Sequence, residues 1–308
     1  MQIAIDILLI VASVVLIAKG ASWLVDSAVH IAHRLGVSDL IIGLTIVAMG
    51  TSAPEFAVTI LAVLRDMADI SVGNIVGSNI FNLGFVLGGT AIIRSLQTTK
   101  SIVYRDGTFL LLGTVLVTIF LWDLSLKQLE GLILFALLFT YLGFLYIKRE
   151  VPEFESESVE THWYDWPLLI AGFGSVLGGS HLLVDSATDL ARLFGISEWI
   201  IGVTIIAAGT SMPELATSIT AALKGRHGIS IGNLLGSDIF NMFGVLGLAA
   251  LIKDLNISSG AHLNLMFLVL MVLLTLIFLR TDWKISRKEG FVLLGIGLAR
   301  WIYSFSNF

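Results

Sequence analysis

The sequence predicts an all-α membrane protein with ten transmembrane helices arranged as two inverted five-helix repeats. Three observations carry that expectation. First, the chain of 308 residues is 56% hydrophobic and 13% charged, with a mean hydropathy of +0.93. A soluble domain carries about 25% charged residues, so this chain cannot cover itself with polar surface. Second, residues 26–87 and 185–246 are one segment written twice: a shift of 159 positions aligns them without a gap, with 32 of 62 positions identical. Third, equivalent loops of the two copies carry opposite charge. Arg65-Asp66-Met67-Ala68-Asp69 is acidic, whereas Lys224-Gly225-Arg226-His227 is basic. Under the rule that basic loops stay cytoplasmic, equivalent loops then lie on opposite faces, as five spans per half require.

The spans follow in order from apolar runs long enough for a hydrocarbon core of about 30 Å. They are 3–34, 39–64, 70–94, 106–122, 127–147, 165–192, 198–223, 229–252, 262–280 and 288–304. Apolar sequence starts at Ile3 with no basic region or small-residue cleavage site before it, so the first run reads as a span and not a signal peptide. The first and sixth runs are unusually long, and their second halves, Lys19 to Arg34 and Gly178 to Arg192, are amphipathic. That suits helices lying along a bundle. Ser38 and Ser197 each precede an acid and an apolar run, the pattern of a helix N-cap. The expected domains are residues 1–149, an acidic linker at 150–164, and residues 165–308. The linker holds Glu150, Glu153, Glu155, Glu157 and Glu160 but lacks the spaced oxygen ligands around a glycine of an EF-hand. It reads as solvated and cytoplasmic.

Orientation follows from Lys and Arg. With the N-terminus outside, twelve fall on the cytoplasmic side and five on the other, with Lys19 inside a span. The expected location is therefore a cell membrane, multi-pass, with both termini outside. The formal net charge of −5 says little about partners; there is no basic patch or reader motif for nucleic acid. No cysteine is present, which excludes disulfides, thiolate metal sites and Cys nucleophiles.

The identities between the copies concentrate on polar residues inside apolar runs. Gly50-Thr51-Ser52-Ala53-Pro54-Glu55 matches Gly209-Thr210-Ser211-Met212-Pro213-Glu214, and Gly73-Asn74-Ile75-Val76-Gly77-Ser78-Asn79-Ile80-Phe81-Asn82 matches Gly232 to Asn241. Such a repeat is the signature of a two-fold transporter whose site lies at the repeat interface. Pro54 and Pro213 have no N–H to give to Gly50 and Gly209, so the Gly50-Thr51 and Gly209-Thr210 carbonyls are expected to be free. That is tolerable at membrane depth only against protein, water or an ion. Thr51, Ser52 and Glu55 share one helical face by their spacing, as do Thr210, Ser211 and Glu214. Ser78 and Asn82, with Ser237 and Asn241, add hydroxyl and amide oxygens, while Gly77 and Gly236 permit close helix approach. The product is an all-oxygen cage with two formal negative charges, which suits Ca²⁺ better than the rigid octahedron of Mg²⁺. A buried acid at mid-membrane costs at least ~2.5–3.5 kcal/mol, so a pair implies an ion between them.

At these residues the chain resembles the cation/calcium exchanger superfamily, in its Na⁺/Ca²⁺ exchanger branch, and looks like a compact prokaryotic member. The Gly-Thr-Ser-x-Pro-Glu and Gly-Asn-x-x-Gly-Ser-x-x-x-Asn runs are similar to that family's two alpha-repeats, and the likeness extends to the Gly36-Val37-Ser38 and Gly195-Ile196-Ser197 turns. The resemblance implies Na⁺/Ca²⁺ antiport by alternating access, with Thr51, Ser52, Glu55, Ser78, Asn82, Thr210, Ser211, Glu214, Ser237 and Asn241 as cation ligands. It also implies that the first and sixth helices slide. No enzymatic activity and no cofactor are expected: Ca²⁺ and Na⁺ are the transported substrates, and the lipid bilayer is the partner. Asp238, whose counterpart is Asn79, lies at the edge of the ligand face and is expected in an outer shell.

Rival readings share the acids. A proton/calcium exchanger motif typically reads Gly-Asn-Ala-x-Glu, without the Thr-Ser-x-Pro run seen here. The K⁺-dependent branch places an Asp in the slot of Asn241. A passive channel would build its ring at a symmetry axis between copies, and no His-Glu-x-x-His or Gly-x-Gly-Asp suggests a hydrolase. Trp122, Trp163, Trp166, Trp199, Trp283 and Trp301 fall near span ends, where interfacial anchors belong. His181, Asp26 and Asp185 read as contact or cap residues of the long helices.

Overall fold

The computed structural model describes residues 2–148, 162–195 and 207–306. Most of the acidic linker, Ser197 and the first part of the 198–223 span lie outside the described residues. The rest is helical with four two-residue strands. The helices are α1 (Gln2–Leu35), α2 (Asp39–Thr51), α3 (Ala53–Leu64), α4 (Ala68–Ile93), α5 (Ile102–Asp123) and α6 (Gln128–Ile147). They continue with α7 (Asp165–Leu193), α8 (Met212–Leu223, after the short turn Ala207–Gly209), α9 (His227–Ile252), α10 (Ala261–Arg280) and α11 (Arg287–Ser306).

Among the described residues, seven helices are long and apolar enough to cross a membrane, or eight if the bent pair α2–α3 counts as one span. Two of the ten expected spans are missing from that set. The 198–223 span is only partly described, and α11 carries Arg287, Lys288, Glu289 and Arg300 within its 20 residues.

Proline does more than kink the second span. α2 ends at Thr51, α3 begins at Ala53, and the two axes meet at 49°. Pro54 therefore sits in the first turn of a new helix, where its missing N–H costs nothing. Pro213 takes the same place in α8. Ser38 caps α2 as expected, its hydroxyl accepting from the Ile41 N–H at 3.4 Å.

Two hydrophobic clusters organise the packing. The larger joins α4, α5, α6, α9 and α10 through residues such as Ile75, Leu83, Leu110, Leu134, Phe243 and Leu268. The smaller joins the inner half of α1 to α2 and α7 through Leu24, Ile31, Val47 and Leu169. The two long helices run against each other along a seam of small residues. A Cβ on Gly20 would meet Ser175 Cβ at 2.6 Å, and one on Gly172 would meet the Leu24 backbone at 2.8 Å. The outer half of α1 instead exposes Leu8, Val11, Val14 and Val15, as a lipid-facing surface would.

Between the helices, strands β1 (Leu96–Gln97) and β4 (Lys284–Ile285) pair antiparallel, as do β2 (Ser125–Leu126) and β3 (Leu255–Asn256). Each ribbon joins a loop of one half to a loop of the other. Ion pairs sort the loops in the same way. On one face Lys253 pairs with Asp66, and Asp69 accepts from the Ser258 N–H at 2.8 Å. On the other, Lys224 pairs with Asp26 at 2.6 Å and Arg226 with Asp39 at 3.6 Å. Asp26 is thus a contact residue. His181, which was expected to make a satisfied contact, is largely exposed and faces Asp185 at 3.6 Å.

Candidate cation site

The breaks after Thr51 and before Met212 bring the two glutamates into the middle of the bundle, where both are fully buried. Each leans on the other copy of the repeat. The Ser211 hydroxyl donates to Glu55 Oε1 at 3.1 Å, and the Ser52 hydroxyl donates to Glu214 Oε1 at 3.0 Å. Thr210 lies close enough to Glu55, and Thr51 to Glu214, for their hydroxyls to interact with those carboxylates. Sequence spacing placed serine, threonine and acid of one copy on one face. The structure shows that face turned towards the opposite acid, since Ser52 reaches Glu214 and Ser211 reaches Glu55 across the two copies.

The next helices complete the surroundings. On α9, the Ser237 hydroxyl lies 3.4 Å from Glu214 Oε1, from the Ala48 carbonyl and from the Thr51 hydroxyl, with one proton to share among them. Thr51 also donates to Asn233 Oδ1 at 3.0 Å. On α4, Ser78 is buried and lines a cavity of about 480 Å³ that also touches Asp69, Asn74, Asn264 and Arg300. Where the two helices cross, Asn82 Nδ2 donates to Asp238 Oδ1 at 3.0 Å. There Asn79 Nδ2 donates to the Asp238 carbonyl at 3.2 Å, and Asn241 Nδ2 donates to Asn79 Oδ1 at 3.2 Å. Asp238 is fully buried within this amide cluster. A widened π-type turn starts at Asn82 in α4 and at Phe240 in α9, a local feature often found at functional sites.

Two residues that sequence reasoning left out of the ligand set hold the acids' backbone. Asn74 Nδ2 donates to the Glu55 carbonyl at 3.1 Å and to Thr59 Oγ1 at 2.9 Å. Asn233 Nδ2 repeats the arrangement on the Glu214 carbonyl at 3.4 Å and Ser218 Oγ at 3.0 Å. A signal was available, since both asparagines sit in the duplicated Gly-Asn pair.

The unpaired atoms show what the site suits. Glu55 Oε2, Glu214 Oε2, Asn82 Oδ1, Asn241 Oδ1 and Asp238 Oδ2 are buried without a hydrogen-bond partner in the protein. Buried polar atoms in a folded protein are ordinarily satisfied, and each of these is an acceptor. Unsatisfied oxygens that are all acceptors, with no donor among them, suit a hard cation. The glycine that opens each motif lets α7 press against the break: a Cβ on Gly50 would lie 2.1 Å from the Phe173 ring.

Comparison with known proteins agrees with this chemistry. The profile of the family described as sodium/calcium exchanger protein matches residues 5–147 and 164–299. The putative antiporter CaxA of Alkalimonas amylolytica is 37% identical, over 92% of this chain and 94% of that protein. The sodium/calcium exchanger MaX1 of Methanosarcina acetivorans is 32% identical, over 95% and 96%. Among solved structures, the sodium-calcium exchanger NCX_Mj soaked with zero Na⁺ and Ca²⁺ superposes with a TM-score of 0.87 at 30% identity, covering 98% of this chain and 99% of that one. This multi-pass membrane protein belongs to the sodium/calcium exchanger family.

Proposed function

We propose that the chain is a Na⁺/Ca²⁺ antiporter that binds Ca²⁺ and Na⁺ alternately at the site between Glu55 and Glu214. One observation carries the reading: each glutamate takes a serine hydroxyl from the opposite repeat on Oε1, while its Oε2 stays buried and unpaired. Two carboxylates balance one Ca²⁺, and Na⁺ ions balance the same charge in its place. Thr51, Ser52, Ser78, Asn82, Thr210, Ser211, Ser237 and Asn241 supply neutral oxygens around them, with Asp238 behind the site. Neither a cofactor nor an enzymatic step belongs to this cycle.

The architecture that goes with this reading has ten spans in two inverted halves, 1–149 and 165–308, with the 150–164 linker in the cytoplasm and both termini outside. The loop ion pairs and the two ribbons support it, because on each face they join the loops that ten crossings would put there. Alternating access follows from the position of the site at the interface of the halves. Radiolabelled Ca²⁺ uptake into vesicles under imposed Na⁺, K⁺ or H⁺ gradients tests the proposal. Uptake should follow an outwardly directed Na⁺ gradient. Uptake driven equally by a pH gradient in Na⁺-free buffer, or demanding K⁺, would replace it with one of the rival exchangers, and uptake needing no gradient of a second cation would point to a channel.

A further inference from the structure

Away from the central cavity, three metal-ligating side chains meet at the base of the two long helices. His30 lies near the end of α1, Asp165 opens α7, and His162 stands three residues before it in the chain. One ligand atom from each lies within 4.8 Å of the others. His30 Nδ1 is 2.8 Å from Asp165 Oδ1, and the Asp165 carboxylate is nearly inaccessible while the His30 ring is 29% exposed. We propose that His30, His162 and Asp165 form a transition-metal site, of the Zn²⁺ class, that ties the end of α1 to the start of α7.

The donor set selects the metal. Two imidazoles and one carboxylate suit Zn²⁺ and its neighbours and disfavour Ca²⁺ and Na⁺, which take oxygen ligands. Three protein ligands leave one tetrahedral position for water, and the exposed edge of His30 gives it a way in. Zinc ligands at about 2.0–2.2 Å from the ion stand about 3.3–3.6 Å apart in a tetrahedron. His30 and Asp165 are slightly closer than that, as a hydrogen-bonded pair is, and a His162 ligand atom lies within 4.8 Å of both.

A simple ion pair between His30 and Asp165 would not need the remaining features. The backbone N–H of His162 donates to Asp165 Oδ2 at 2.7 Å, which fixes the carboxylate and points Oδ1 to the gap. Outer contacts of that kind orient metal ligands. The His162 ring stacks on Tyr164 at 4.7 Å between centroids and stands 6.2 Å from the His30 ring. Both imidazoles bring a ring nitrogen to within 4.8 Å of an Asp165 carboxylate oxygen. Bound metal would pin two helices that are 135 residues apart at this contact and that otherwise hold together through a seam of small residues.

This site does not depend on which ions the chain transports, and its test is a binding measurement. Purified full-length protein with its affinity tag removed is titrated in detergent with Zn²⁺ by calorimetry, and with Co²⁺ by visible absorption, at fixed Na⁺ and Ca²⁺. One equivalent of Zn²⁺ should bind, with Co²⁺ showing the ligand-field bands of low-coordinate nitrogen and oxygen ligation. His30→Gln and His162→Gln should each weaken binding by more than the 10- to 100-fold that loss of an outer-shell partner typically costs. Glu55→Gln should leave it unchanged. Thermal melting in the presence and absence of Zn²⁺ supplies a second readout, with Zn²⁺ raising the midpoint in wild type and not in the histidine variants. Absence of saturable binding in the wild type, or full retention in both histidine variants, overturns the proposal. Loss in Glu55→Gln with retention in the histidine variants would put the metal at the central site instead.

Discussion

The two copies of the repeat share half of their residues and pack in opposite ways. On α9, Gly232 and Gly236 are pressed into α2: a Cβ on Gly232 would lie 2.8 Å from the Leu40 carbonyl, and one on Gly236 would lie 2.7 Å from Leu44 Cα. On α4, the equivalent Gly73 and Gly77 have nothing within 4 Å, because they border the cavity that reaches Ser78. One glycine pair is a closed contact and the other an open wall. Residue type alone does not separate them, since the motif is the same. The difference lies in how the helices pack around each pair, and under the proposed antiport it is the asymmetry expected between one approach and the other. Exchange between such arrangements is what alternating access at a repeat interface requires.

The sharpest test of the comparison asks whether the acids are equivalent in spite of it. Glu55→Gln and Glu214→Gln should each reduce Na⁺-driven Ca²⁺ uptake to background while the protein still elutes as a folded monodisperse species. Near-normal uptake in either would mean that only one copy holds the ion. Cysteine labelling comes next. The chain contains no cysteine, so Gly73→Cys and Gly232→Cys each introduce a single thiol. A membrane-impermeant reagent added from the cavity's face should modify the first readily and leave the second unreacted. Equal labelling would show that the two walls are not different in the membrane.

A smaller effect should appear in stability. Gly236→Ala forces a methyl into backbone at 2.7 Å and should cost about 1–3 kcal/mol, the usual range for overpacking, read as a lowered melting temperature. Gly77→Ala meets open space and should melt at or slightly above the wild-type temperature, since Ala favours helix over Gly by up to ~1 kcal/mol. The same variant should nonetheless slow exchange, because under the proposed alternating access the wall has to close in the other state. The smallest change is expected at Asp238, the acid that breaks the motif's symmetry. Asp238→Asn should shift apparent Ca²⁺ affinity a few-fold through the local field. Loss of transport, or a changed number of Na⁺ per Ca²⁺, would put Asp238 among the ligands.

Much of the candidate site was legible because buried polar residues are expensive and therefore conspicuous in apolar sequence. Glu55, Ser52, Asn82 and their counterparts stood out on that ground alone, and all of them are buried in the structure. What was not legible lies in relations between copies. That Ser52 serves Glu214, and not its neighbour Glu55, depends on how the two copies pack against each other. The break at Ser52 was readable from Pro54, but its form as two helices was not, because a proline in an interior turn and one in a first turn look alike in sequence. The strands, two residues each, are too short to show an alternating pattern. His30 and Asp165 are 135 positions apart, and neither belongs to the duplicated segment's shared motifs.

The two ribbons obey the same repeat as the motifs. Shifting β1 by the repeat interval lands on β3, and shifting β2 lands on β4. The pairings follow the same rule: Leu96 opposite Ile285 becomes Leu255 opposite Leu126. Neither ribbon forms within a half. Each half therefore carries two strands that only the other half can pair, so an isolated half would leave both with unpaired backbone edges and the two ribbons bind the halves into one unit.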